Sequence, residues 1–183
     1  MSEHRPWFKS YPSDVPHSLE PYPSFPLFGM LEAAARAHPQ APAIAWFGRT
    51  TPYRDLLAET ERCSAALAGL GVGKGDRVAL IMPNCPQYVI AYYATVRLGA
   101  IIVGNNPLYT KLEMEHQLKD CGANVVVVLD LLHSDFADVF KGLGIEHVVV
   151  ARLNDYMPFP KKQLAPLLKF KKLQREQGKP WPP

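Results

Sequence analysis

The sequence predicts an α/β fold built on a mostly parallel sheet of about four strands. Three observations predict it. Four short apolar runs rich in β-branched residues recur, at 78–82 (VALIM), 100–104 (AIIVG), 125–129 (VVVVL) and 147–151 (HVVVA). A helix-length segment separates each neighbouring pair. The runs are continuously apolar instead of alternating, as strands covered on both faces are. Right-handed crossovers then give a Rossmann-like arrangement with helices on both faces. A short N-terminal hairpin precedes it.

Each element follows from local chemistry. Residues 1–26 hold six of the eighteen prolines and predict an extended leader. The stretch LFGMLEAAARAHP spaces Leu27, Met30, Leu31, Ala34 and Ala35 as a helix, which Pro39 stops. AIAWFGRTTPY reads as a hairpin around Gly48. In RDLLAETERCSAALAGLG, Leu56, Thr60, Cys63, Leu67 and Leu70 share one stripe, so an amphipathic helix ends at Gly71. A third helix spans Pro86 to Leu98 (PQYVIAYYATVRL). Wound at 100° per residue, it shows no solvent face beyond Gln87 and Arg97. Helices apolar all round are buried all round. One side meets the sheet, so another domain of a longer chain or another subunit is expected on the other.

The organisation is therefore a Pro-rich leader (1–26), an α/β subdomain (27–153) and a basic, Pro-containing linker (154–183). Net charge is +3, but the region from Arg152 onward holds eight Lys/Arg against two Asp/Glu. That excess includes KFKKLQR at 169–175 and reads first as a solvated segment, with contact to an anionic membrane surface as the sharper reading. Nucleic-acid binding wants basic residues over a folded face, and they are not so placed. The leader lacks the apolar core of a signal peptide. Residues 78–96 carry no charge, yet Pro83, Asn84, Pro86 and Gln87 interrupt them, which argues against a membrane span. The three cysteines, Cys63, Cys85 and Cys121, form no CxxC pair, so a disulfide framework or zinc site is not expected and a reducing cytoplasm fits.

Two stretches resemble ligand loops. The run GLGVGKGDRVAL is glycine-rich, but Gly75 follows Lys74 where a Walker loop needs Ser or Thr. No register from Gly69 to Gly75 gives GxGxxG. These glycines also end a helix and lead into a strand, the reverse of a phosphate loop. They read as a helix cap and turn, with Asp76 and Arg77 pairing locally. After the second strand, Asn106-Pro107 turns the chain and Thr110 to Glu113 spell a capping box. Helix N-termini bind anions, but this one has no glycine cluster and no lysine at the bend, so its role reads as structural. His38, His116, His133 and His147 stand singly, and no GxSxG or local Ser/His/Asp group occurs.

From RTTPY to VVVVLD the chain resembles the N-terminal portion of the adenylate-forming acyl-CoA synthetases, in their long-chain fatty acid–CoA ligase branch. The matching positions are Tyr53, Leu56, Leu70 to Asp76, Pro83 to Pro86 (PNCP), Leu98 to Ala100 and Asn106 to Thr110 (NPLYT). PFPKK (158–162) and the PWFKSYPSDVP leader resemble that branch as well. Pro52 departs from the usual Thr or Ser.

The resemblance implies a two-step reaction. A fatty acid and ATP, with Mg²⁺, give acyl-adenylate and pyrophosphate; coenzyme A then displaces AMP. It also implies that the phosphate loop, the metal-binding Glu and the catalytic Lys lie beyond this chain. No catalytic, cofactor-binding or metal-ligating residue carries over, and the chain alone is expected to be inactive with none of these ligands bound. Its implied partner is the remainder of a longer chain. Two other readings stay open: a stand-alone binding or homodimerisation module, using helix 86–98 or the N-terminal segment, and a small nucleotide-dependent oxidoreductase.

Overall fold

The computed structural model describes residues 5–22 and 24–160. In chain order the elements are α1 (Leu27–Ala37), β1 (Pro42–Trp46), β2 (Arg49–Pro52), α2 (Tyr53–Gly69), β3 (Arg77–Ile81), α3 (Pro86–Arg97), β4 (Ile101–Asn105), α4 (Lys111–Cys121), β5 (Val125–Leu129), α5 (His133–Gly142) and β6 (His147–Ala151). Single 3₁₀ turns lie at Pro6–Ser10 and Leu153–Tyr156. The basic stretch 169–175 lies outside the described residues.

β1 and β2 pair antiparallel, with Trp46 opposite Arg49. The two residues between them, Phe47 and Gly48, both take positive φ (49° and 89°). That is the primed turn whose twist matches the flanking strands. The larger sheet is parallel throughout, in the order β4-β3-β5-β6.

Strand alternation divides the core in two. Val78 and Leu80 of β3 and Val125 and Val127 of β5 face Leu67 of α2 and Ala91 and Ala94 of α3. Ala79, Ile81, Val126 and Val128 face Met114 and Leu118 of α4 and Phe136 and Phe140 of α5. Both central strands are thus covered on both faces, as continuous apolar runs require. The edge strands are not: Ile101 of β4 and Val150 of β6 remain exposed.

α3 is indeed sandwiched, and the chain itself supplies the second cover. Ile90 packs with Phe28 and Leu31 of α1 and Leu56 of α2, and Val89, Tyr93 and Val96 join them. No residue from Pro86 to Val96 is fully exposed. The separate domain or subunit expected on that side is not needed for this burial. Sequence periodicity shows that a face is apolar but not which segment reaches it, and α1 lies about sixty residues away.

Pro52 sits just before α2 and offers no side-chain cap. Its helix is capped from a distance instead. The amides of Tyr53 and Arg54 donate to the carbonyls of Ala41 and Pro39, at 3.1 Å each. Those are two of the four donors that a helix N-terminus leaves open.

Candidate functional site

Open parallel sheets take ligands outside the carboxyl ends of their strands, where neighbouring strands lead away in opposite directions. Here the chain leaves β3 toward β4 and leaves β5 toward β6, so that point lies between β3 and β5. The loops there are Met82 to Cys85 and Asp130 to Leu132.

The chain closes this end itself. Gln87, in the first turn of α3, donates through Nε2 to the Arg152 carbonyl. The Leu153 amide donates to Asp130 Oδ1 at 3.4 Å. Tyr156 Oη donates to Glu59 Oε2 of α2. Arg49 of β2 donates to the Asp155 carbonyl at 3.2 Å, and its guanidinium stands 5.4 Å from the centre of the Tyr156 ring. Leu153, like Leu131 and Leu132, packs on the buried core between the sheet and α2 and α3.

The β3–α3 junction offers little to an anion. Pro86 occupies the first turn and has no N–H to give. Cys85, at the N-cap, is buried. Burial raises its thiol above the ordinary value, against a smaller opposite pull from the amides of Tyr88 and Gln87. Burial raises the Cys63 thiol too. Both are kept as neutral thiols, the unreactive form.

At the β4–α4 junction the capping box is fully formed. Thr110 Oγ1 accepts from the Glu113 amide at 3.3 Å, and Glu113 Oε2 accepts from the Thr110 amide at 2.8 Å. A further bond from Thr110 Oγ1 to the same carboxylate measures 2.8 Å. These bonds, from the Thr110 backbone first and its side chain second, hold the Glu113 carboxyl below its ordinary pKa. The polar groups of Thr110 and Glu113 are thus spent on helix geometry, while Asn105, at the end of β4, is buried with its Oδ1 unpartnered.

The glycine run sits at the opposite end of the sheet. Gly71 and Gly75 take positive φ (87° each), and the Gly73 amide donates to Asp76 Oδ2 at 2.8 Å. The local pairing expected of Asp76 and Arg77 is replaced by two separate tasks. Asp76 holds the turn. Arg77 reaches across the sheet's amino end to the carbonyls of Cys121 and Gly122, at 3.1 Å each. A cation at the negative end of α4 is the favourable arrangement. The polar depression beside it, about 100 Å³, is lined by backbone turns and by Arg77, Asn124 and Glu146.

Among the described residues no group of three or more His, Cys, Asp or Glu could hold a metal ion. Nor do these junctions present the run of free amides that a triphosphate requires. At these junctions the described residues do not fit Mg²⁺ or a nucleotide triphosphate. Sequence reasoning missed the contacts made by Gln87, Asp130, Glu59, Arg49 and Tyr156. Their partners lie as many as 106 residues apart, and no short motif marks them.

The pattern of the AMP-binding enzyme family matches residues 31–181. A long-chain-fatty-acid–CoA ligase of Bacillus subtilis is 40% identical over 94% of this chain and 31% of its own length. One from Yersinia pestis is 41% identical over 86% of this chain and 28% of its own. Among solved structures, a long-chain-fatty-acid-CoA ligase from Archaeoglobus fulgidus superposes with a TM-score of 0.66 at 30% identity, over 71% of this chain and 28% of that one. The N-terminal domain of FACL13 from Mycobacterium tuberculosis gives 0.64 at 27% identity, over 69% of this chain and 34% of that one. The chain spans about 30% of the length of the curated relatives it matches and corresponds to their N-terminal part. No helix among the described residues is long and apolar enough to cross a membrane. With five-sixths of its length matching that pattern and two-fifths of its residues shared with such a ligase, the chain belongs to the AMP-binding enzyme family.

Proposed function

We propose that this chain serves as the N-terminal subdomain of an AMP-forming long-chain fatty acid–CoA ligase. The observation that carries this reading is the 40% identity to such a ligase along 94% of the chain. In that enzyme a fatty acid carboxylate attacks ATP to give acyl-adenylate and pyrophosphate, and the coenzyme A thiol displaces AMP. Mg²⁺ assists by spreading the charge on the phosphates. The groups that touch ATP, metal and thiol belong to the rest of the enzyme. This subdomain supplies a rigid two-faced layer on which the rest is mounted.

The cytoplasm is the compartment that suits ATP and coenzyme A. The basic stretch 169–175 would bring the enzyme to anionic membrane surfaces, where its substrate resides. Self-association through the N-terminal segment is a further expected partner mode. ATP–pyrophosphate exchange with a long-chain fatty acid tests the central reading. Activity is expected in a product that reads on to the length of the relatives and not in these 183 residues. Exchange catalysed by the 183 residues alone would overturn it. Vesicle sedimentation with and without anionic lipid tests the surface contact, and binding at background in both would remove it.

A further inference from the structure

The geometry points to residues 152–156 as a strap that shuts the ligand-binding end of this sheet. The strap runs from the end of β6 across the switch point between β3 and β5. Its near end is tied at Arg152 by Gln87 and at Leu153 by Asp130. Its far end is tied at Asp155 by Arg49 and at Tyr156 by Glu59. Four separate parts of the fold thus converge on five residues: β2, α2, the start of α3 and the loop after β5.

Two features set this apart from an ordinary connection. Leu153 turns apolar surface inward, against the same buried cluster that Leu131 and Leu132 pack on. Below it Gln87 is only 9% exposed, and its Oε1 has no hydrogen-bond partner. The polar floor that a ligand would meet is therefore covered by the chain's own backbone. The far clasp is built differently: Arg49 is exposed, Glu59 is half-buried, and the Tyr156 ring packs against the cluster of Phe28, Leu31, Leu56 and Ile90 while its hydroxyl reaches Glu59. Its hydrogen bonds, from the Tyr156 hydroxyl and from Arg49, can be removed while that ring stays packed. A nucleotide cannot enter this rim while the strap is down, whatever enzyme the sheet serves.

Amide exchange by NMR tests this on the 183-residue chain. Tyr156→Phe removes the hydroxyl and keeps the ring against its neighbours, and Glu59→Gln removes the charge at the same bond. Both are expected to speed exchange at Leu153, Asp155 and Met157 by about five- to tenfold, the effect of losing one hydrogen bond. Exchange at Glu113, far off in α4, is expected to stay unchanged. Unchanged exchange in the strap, or equal acceleration at Glu113 and in the strap in both variants, overturns the proposal. Adding ATP to the wild-type chain is expected to leave the amide signals of Leu131, Leu132 and Leu153 in place. Their displacement on titration would show an open rim and overturn it as well.

Discussion

Two fully buried threonines predict opposite responses to the same substitution. Thr60 of α2 and Thr95 of α3 are both 0% exposed. Thr95 Oγ1 donates to the Ala91 carbonyl one turn back, at 2.8 Å. Thr60 Oγ1 has no partner. Valine keeps the shape and the β-branch, so rotamer and helix costs change alike at the two sites. At Thr95 the change removes a made bond and is expected to cost about 1 kcal/mol. At Thr60 it removes an unmet hydroxyl, whose burial costs about 1–3 kcal/mol, and is expected to stabilise by about 1 kcal/mol or more. The two variants should therefore differ by about 2 kcal/mol. That is a gap of ~4–8 °C in melting temperature for a chain of this size. Urea denaturation reads it as a shift of midpoint at constant slope. Thr60→Val and Thr95→Val moving in the same direction by the same amount would refute the reasoning. It would mean that hydroxyl satisfaction does not govern burial in this layer.

Other substitutions test the remaining joints. Thr110→Ala should cost ~1 kcal/mol by breaking the capping box, seen as faster amide exchange in the first turn of α4. The Glu113 carboxyl is held below its ordinary pKa. Its contribution is therefore fully present above the unfolded-state pKa and lost as pH falls through the lower folded value. Acid titration of stability should show this, and Glu113→Gln should flatten it. Met114 is fully buried between α4 and the sheet, and Met114→Ala should cost ~2–5 kcal/mol by the same urea assay. Gly122 holds φ +61° with Arg77 Nη2 3.2 Å from where a Cβ would sit. Gly122→Ala should cost ~1 kcal/mol for the backbone alone and more if the Arg77 bonds break.

Local rules made much of the fold legible in the sequence. The β-branched runs located β3 to β6 within one residue at either end, because continuous apolar strands need no long-range information to be recognised. Gly48, Gly71 and Gly75 marked turns because they take the positive φ that other residues avoid. The capping box at Thr110 and Glu113 is complete within four residues, so its text spells its geometry. What could not be read depends on distance along the chain. Asp76 and Arg77 are neighbours, yet Arg77 answers carbonyls some 45 residues away. The cover over α3 comes from Phe28, Leu31 and Leu56, and the strap joins Tyr156 to Glu59. No spacing rule pairs such residues. The resemblance to acyl-CoA synthetases lies in turns and caps, PNCP, NPLYT and the glycine run. In the structure Gly71 and Gly75 turn the chain, and Thr110 and Glu113 cap α4.

The most direct test of the central claim is a chimera. The chain replaces the matching N-terminal third of the Bacillus subtilis relative, and acyl-CoA formation from a long-chain fatty acid is measured. If the two-faced layer and its strap are what this segment contributes, the chimera should form thioester within about tenfold of the parent rate, or ~1.4 kcal/mol of barrier. A chimera that folds and melts like the parent yet catalyses neither ATP–pyrophosphate exchange nor thioester formation would contradict it.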